Sequence, residues 1–260
     1  MDTVVFQSAR RDATPRWIER SMASVRSWAE AKGYDYRFEG GRLFDVLPGW
    51  YREKSAGVIG PMADLGRLLL ARELLARGYK RAVWFDDDVV IFAPERMELP
   101  RERDFYLCRE VWLEFTGPAV EISERVTNCV CAFEAGSSFL DFYIDACQQL
   151  VRDAALPMSP LTVGTQFLTY LNRILRLPRI GNVGLFGAYL VRDVARGGGF
   201  FLNAFKQSFR APIYAANLCA SFRNKLLPLP DNQPPFLLED AVFDRAVDAL
   251  AAAGERFMSA

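Results

Sequence analysis

The residues of this 260-residue chain best suited to chemistry are three successive aspartates. Asp86-Asp87-Asp88 lie between the apolar runs Ala82-Val83-Trp84-Phe85 and Val89-Val90-Ile91-Phe92. Like charges within a few ångströms oppose each other's ionisation, and a divalent cation removes that cost. In an extended segment alternate residues point the same way, so Asp86 and Asp88 can share one ion while Asp87 faces elsewhere. Carboxylate oxygens suit a hard ion, Mg2+ or Mn2+. Such an ion would bridge two phosphate oxygens and neutralise charge on a departing nucleoside diphosphate. The competing reading is a solvated acidic turn, since Asp is common in turns. The apolar runs on both sides argue for a buried rim instead.

Composition removes several other chemistries. The chain has no histidine, which excludes Ser-His and Cys-His pairs, imidazole bases and His-ligated zinc. Lys+Arg and Asp+Glu are equal at 32 each, so no global field draws the protein to nucleic acid or an acidic membrane surface. The five cysteines are scattered, with no C-x-x-C pair, and read as reduced, mostly buried thiols. The start of the chain runs through Thr3-Val4-Val5-Phe6 into Arg10-Arg11-Asp12 without the apolar core of a signal peptide. No stretch approaches the roughly 18 apolar residues of a membrane span. A cytoplasmic protein is therefore expected.

The elements that must position the aspartates follow from periodicity. Thr3 to Phe6 reads as a buried strand, and Thr14-Pro15 opens a helix to about Lys32, with Ile18, Met22, Val25 and Trp28-Ala29 on its core face. Tyr34 to Phe38 reads as a strand. Residues 40–51, with Gly40-Gly41 and Pro48-Gly49, read as an irregular loop. A helix from about Pro61 to Arg77 leads into the strand Ala82 to Phe85. This order predicts an α/β domain with a mostly parallel central sheet and helices on both faces. Ligands would then bind beyond the carboxyl ends of the strands, where Asp86 sits. Further on come a strand at Asn128 to Phe133, helices at about 137–151 and 163–175, a Gly197-Gly198-Gly199 loop, a segment with Pro228, Pro230, Pro234 and Pro235, and a last helix at about 239–253. One domain over 1–260 is expected, with two functional halves that meet after the acidic motif, at 1–92 and 93–260.

Asp86-x-Asp88 at a strand end resembles the D-x-D motif of GT-A-fold glycosyltransferases, and Ala63-Asp64-Leu65-Gly66-Arg67-Leu68 resembles their S-D-x-x-R helix segment. The resemblance implies a GT-A-like, Rossmann-like fold and sugar transfer from a nucleotide diphosphate donor, a UDP-sugar, to a saccharide or other hydroxyl acceptor. It implies that residues 1–92 are the nucleotide-binding half and 93–260 the donor-sugar and acceptor half, that Gln7 and Ser8 contact the base, Lys54 neutralises diphosphate, Asp64 lies near the ribose or base, Arg67 orients the acidic site or touches the sugar, and Asp87 belongs to the donor side. From the residues alone, Asp64 and Arg67 could equally be an exposed ion pair three residues apart on a helix, and Lys54 a surface side chain.

Thr127-Asn128-Cys129-Val130, Gly164-Thr165-Gln166 and Leu177-Pro178-Arg179-Ile180-Gly181-Asn182 resemble segments of the glycogenin-like branch. That likeness implies Asn128 and Gln166 on the donor sugar and a retaining hexosyl transfer. Two positions depart from the branch: Thr165 stands where it has Asp, and its late metal-binding His has no counterpart, leaving Asn217 to fill the third-ligand place through its amide oxygen. An inverting reaction would instead need a carboxylate base, with Glu134, Asp141 and Asp193 as candidates. Trp112, Phe115, Phe200 and Phe201 could stack on a sugar or serve the core.

Two other classes fit parts of the pattern. Asp86-x-Asp88-x-Val90 fits the nucleophile string of haloacid-dehalogenase-like phosphatases, although those enzymes usually open with the motif and here two βα units precede it. A non-catalytic transferase-like sugar-nucleotide binder fits the missing His and Thr165.

Overall fold

The computed structural model describes residues 2–9, 14–115, 120–209, 211–229 and 234–259. The Arg10-Arg11-Asp12 segment, Pro230 and the Phe115 side chain lie outside the described residues. The first half alternates as expected: β1 (Thr3–Gln7), α1 (Arg16–Ala31), β2 (Asp35–Phe38), α2 (Arg42–Asp45), α3 (Gly49–Lys54), α4 (Ile59–Ala76), β3 (Arg81–Phe85) and β4 (Val89–Ile91). Residues 40–51 differ from the loop reading. Gly40 turns the chain at φ +52, and Leu43 and Tyr51 then bury themselves against the core, which winds the flanking residues into α2 and α3.

The second half is β5 (Phe105–Phe115), β6 (Val120–Glu134), α5 (Ser138–Asp153), α6 (Phe167–Leu175), β7 (Arg179–Ile180), β8 (Val183–Leu185), α7 (Ala188–Ala195), α8 (Phe200–Ser208), β9 (Ala215–Asn217), β10 (Leu226–Leu227), β11 (Phe236–Leu237) and α9 (Asp240–Ala253). A π-helical turn, Thr162–Gln166, precedes α6.

Six strands form the central sheet in the order β2-β1-β3-β6-β5-β7. β1 pairs in parallel with β2 and β3, and β5 with β7, while β6 runs antiparallel to both β3 and β5. Helices cover both faces, as period-two strands demand. Val4 and Phe6 join Leu65, Leu68 and Tyr143 from α4 and α5, whereas Val5 joins Val25 and Trp28 from α1. Each such buried side chain contributes about 1.5–3 kcal/mol. A second sheet, β4-β9-β8, packs with α1, α7, α8 and α9.

Two features of this topology position the site. β1 and β3 lie side by side and parallel, so Gln7 and Asp86 leave the sheet at the same end. β6 lies between β3 and β5, pairing with β3 through residues 130–134 and with β5 through 132–133 and 120–127, and Asn128 stands in the register irregularity between those two stretches.

Candidate functional site

Asp86-Asp87-Asp88 is a turn rather than an extended segment: the Asp86 carbonyl accepts the Val89 N–H at 3.2 Å. The sheet ends at Phe85, and β4 leaves at once to join the second sheet, so the aspartates must reverse the chain, which Asp tolerates well. Asp86 and Asp88 therefore go to different partners.

Asp86 faces Arg67. One guanidinium nitrogen lies 3.0 Å from Asp86 Oδ1, and the indole N–H of Trp84 donates to the same oxygen at 2.7 Å. The same guanidinium reaches Asp64 Oδ1 at 3.3 Å, donates to the Asn128 carbonyl at 2.8 Å and Oδ1 at 3.1 Å, and stacks 5.1 Å from the Trp84 ring. Asp64 and Arg67 are each only 6% exposed, so the exposed-pair alternative is set aside. Asn128 completes the cluster, its amide donating to Asp64 Oδ1 and to the Tyr143 hydroxyl, both at 3.0 Å. Its oxygen and nitrogen are thus both engaged inside the protein.

Asp88 faces β9. Register puts Asn217 opposite Val89, and the Asn217 amide nitrogen donates to Asp88 Oδ1 at 2.7 Å, while the Ala220 N–H donates to Oδ2 at 2.7 Å. The amide oxygen of Asn217 accepts the Cys219 N–H at 2.8 Å. Asn217 therefore lies beside Asp88 with its nitrogen forward, not the oxygen through which it was expected to hold a metal.

The cluster carries surplus negative charge, three carboxylates against one guanidinium. Burial pushes the Asp64 carboxyl up to about 6 against the pull of Arg67. Asp86 is raised by burial against Arg67. Asp88 is raised well above the ordinary range by burial, with the charges of Asp86 and Asp87 adding to it. Burial also disfavours the charge on Arg67, but Asp86 and Asp64 outweigh it and hold the group protonated.

The remaining candidates separate. Gln7 is fully buried, donating to the Asp86 carbonyl at 3.1 Å and accepting the Tyr36 hydroxyl at 3.0 Å. It braces the turn from beneath. Ser8 donates to the Gly40 carbonyl at 2.7 Å. Lys54 sits half-buried on α3 and makes no ion pair with the cluster. Gln166 is exposed and lines a cavity of about 340 Å3 with Arg125, Thr165, Thr169, Tyr170 and Arg173. Asn182 lies elsewhere, its amide on the Glu98 carbonyl.

Gln166 is tied to the cluster through Gly164 in the same π-helical turn. Gly164 is non-helical (φ −92, ψ −112), and a Cβ there would stand 2.6 Å from Asp64 Oδ2. Gly164→Ala is expected to displace Asp64 and cost about 1–3 kcal/mol, read from the urea midpoint.

One acid that the sequence did not single out is also buried. Glu110 on β5 is 4% exposed. Burial pushes its carboxyl up to about 7, against the pull of Arg125 directly across the β5–β6 pair. Because this value lies above the ordinary 4.5, ionisation opposes folding. The stability contribution is whole below about pH 4.5 and is lost as pH rises through about 7. Glu110→Gln is expected to be more stable than wild type at pH 8 by ~3 kcal/mol and equal to it at pH 4, measured by denaturant midpoints at the two pH values. Glu110 lies in a strand whose faces both carry charges, so alternation gave no signal for it.

No protein-family model matches the chain, and no curated protein does. Among solved structures it is similar to a glycosyltransferase involved in the glycosylation of the major capsid of PBCV-1, at 10% identity over 84% of this chain and 94% of that one, TM-score 0.42. It is also similar to the glycosyltransferase GlyE of Streptococcus pneumoniae TIGR4, at 12% identity over 96% of this chain and 62% of that one, TM-score 0.42. A third, A197 from STIV, has 9% identity over 69% of this chain and 80% of that one, TM-score 0.26.

Proposed function

We propose that the protein is a metal-dependent glycosyltransferase that moves a sugar from a nucleoside diphosphate donor, a UDP-sugar, to an acceptor hydroxyl. The observation that carries the reading is the buried Asp64–Arg67 pair joined to the half-buried Asp86, beside Asp88, at the end of parallel strands β1 and β3. Open α/β sheets bind ligands at this end.

The donor set fits a hard divalent cation. It is all oxygen, and its surplus negative charge, felt most at Asp88, is what such an ion would compensate. Among the described residues no three His, Cys, Asp or Glu form a metal-holding group, so Asp86 and Asp88 would hold Mg2+ or Mn2+ together with water and donor phosphates, with Asn217 contributing only after its amide turns over. When bound, the ion supplies Lewis-acid neutralisation of the leaving diphosphate. Arg67 fixes Asp86 in place, Asp64 and Asn128 fix Arg67, and Gln7 fixes the backbone of the turn. Gln166 and its cavity, and separately Asp87, Ser8 and Lys54, are assigned to donor and acceptor recognition by the resemblance alone. The glycogenin-like likeness implies retention through Asn128 and Gln166, but Asn128 is engaged within the triad and its role here is to position Arg67.

The phosphatase alternative needs Asp86 as a free nucleophile, whereas Arg67 and Trp84 hold the carboxylate. Its later acidic pair is committed elsewhere too: Asp240 binds Arg223 and Trp17. Melting with UDP or GDP, with and without Mn2+, tests the proposal. A rise of several degrees that needs both nucleotide and metal is expected, and no shift with either nucleotide would refute it.

A further inference from the structure

Where β3 ends, its antiparallel neighbour β6 keeps going. Phe85 pairs with Val130, and the Asp86 N–H donates to the Cys129 carbonyl at 2.8 Å. Residues 128 down to 125 therefore run past the level where β3 stops, on the side where open α/β sheets bind ligands. Four residues of strand put Arg125 about 13 Å beyond Cys129. β3 leaves that edge of β6 unpaired, and α6 covers it, with the Val126 N–H donating to the Thr169 hydroxyl at 3.0 Å. Strand and helix together wall the cavity of about 340 Å3. Both walls lead straight to the acidic cluster. Asn128, which binds Asp64 and Arg67, is two residues from Val126, and Gly164, packed against Asp64, directly precedes Thr165.

The lining is cationic in a chain of zero net charge. Arg125 and Arg173 line the cavity and no carboxylate does. Arg173 is exposed and, among the described residues, makes no ion pair, whereas the strand arginines Arg109 and Arg179 share Glu124. Arg125 lies 5.3 Å over the Trp112 ring, opposite Glu110 in the β5–β6 pair and 3.6 Å from the exposed Glu114. Stacking holds it in place, and an exposed pair of that length neutralises it little. Gln166, Tyr170 and Arg173 recur at helical spacing on one face. Tyr170 is 64% exposed, and the side chains of Thr165, Gln166 and Tyr170 make no hydrogen bond among the described residues. The acids that an inverting reaction could use are engaged elsewhere: Glu134 by Arg81, Asp141 by Arg72, and Asp193 by the Phe201 and Leu202 N–H groups. The larger cavity, about 820 Å3, lies at the opposite end of the sheet and mixes Glu102 and Asp104 with Arg103 and Arg176.

We propose that this cavity is the acceptor subsite and that the acceptor sugar carries a carboxylate, a uronic acid, an assignment that rests on the donor-binding reading above. Arg173 takes the carboxylate, its planar fork matching the two oxygens with parallel hydrogen bonds, and Arg125 adds charge from the strand wall. Tyr170 covers the apolar face of the pyranose ring, and Thr165 and Gln166 take its hydroxyls. Gln166 and Arg173 stand about 10 Å apart along the helix. A sugar anchored at the Arg173 end therefore extends toward the Gln166 end, which adjoins Asp64. This orientation also keeps the sugar's negative charge away from the surplus carboxylates of the donor site.

The test titrates the whole chain, with UDP and Mn2+ present, and follows binding by NMR. The probes are methyl glucuronide and methyl galacturonide, their neutral counterparts methyl glucoside and methyl galactoside, and methyl glucoside 6-phosphate. At least one uronide should bind ~10-fold or more tightly than its neutral counterpart, with the largest amide shifts at residues 165–173, and the 6-phosphate should bind less tightly than that uronide. Arg173→Gln should bring the uronide down to the level of the neutral sugar while the neutral sugars and the joint UDP–Mn2+ melting shift stay as in wild type. Arg173→Lys should recover part of the difference. With UDP-glucose, UDP-galactose and UDP-N-acetylglucosamine in turn, the preferred uronide should gain the mass of one sugar. Uronides that bind no tighter than neutral sugars, an Arg173→Gln variant that keeps their advantage, or no product from any of the three donors overturns the acceptor assignment and leaves donor binding intact. Tighter binding of the 6-phosphate overturns the carboxylate. Absence of the UDP–Mn2+ shift in wild type overturns the donor reading and the acceptor assignment together.

Discussion

Arg67→Met is expected to lower folding stability by about 3–5 kcal/mol, the usual cost of removing one partner from a buried ion cluster. In wild type one guanidinium serves Asp64, Asp86 and the Asn128 carbonyl and oxygen, and it covers the Trp84 ring. Met keeps the aliphatic stem and much of the contact with Trp84, so packing alone predicts a small loss. The large loss comes from the two carboxylates, which burial already raises with Arg67 present. Without it, ionisation opposes folding more strongly. The deficit should therefore be greatest above pH 7 and shrink as pH falls and the acids protonate. Adding Asp64→Asn to the variant removes one of the two unpaired charges, and a double-mutant cycle should return at least ~1 kcal/mol. At a few degrees per kcal/mol for a chain of this size, the single variant should melt on the order of 10 °C lower. A fall under 1 kcal/mol, or a deficit independent of pH, would show that the triad does not organise the turn.

Asp88→Asn separates binding from stability. Its carboxylate is raised well above the ordinary range by burial and by Asp86 and Asp87, so neutralising it relieves repulsion. The amide still accepts the Ala220 N–H, but its nitrogen now meets the Asn217 nitrogen, and one hydrogen bond worth about 1 kcal/mol is disturbed. These effects offset, so the free protein should melt within a few degrees of wild type. Ligand behaviour should change far more. On the proposed reading the metal would lose one of its two carboxylates, so the joint UDP–Mn2+ shift should vanish and donor hydrolysis should fall ~100- to 1000-fold, in keeping with loss of several kcal/mol of Lewis-acid stabilisation. Calorimetry with Mn2+ and UDP, together with the hydrolysis rate, measures both. A variant that keeps the joint shift would remove Asp88 from the metal site.

The sequence by itself determined the first half of the fold. The apolar runs of β1 and β3 and the stripes of α1 and α4 are local patterns, and each formed within a few residues of its expected bounds because burial of one face leaves little choice. The placement of Asp86 at a strand's carboxyl end followed from those patterns, and the spacing of Asp64 and Arg67 put them on one helical face. The second half was less legible. In β5, Leu107, Arg109 and Val111 face one way and Cys108, Glu110 and Trp112 the other, so neither face is plainly apolar and the strand gave no period-two signal.

Only the tertiary structure decided which polar groups meet. It brought Arg67 to Asp86 across the helix–strand interface, placed Asn128 between Arg67, Asp64 and Tyr143, and set Asn217 against Asp88 through the pairing of β4 with β9. It also turned Glu110, in sequence one acid among many, into a buried carboxylate across from Arg125. Such meetings depend on strand order and on where the β5–β6 register shifts, and these are set by how whole elements bury their faces against one another.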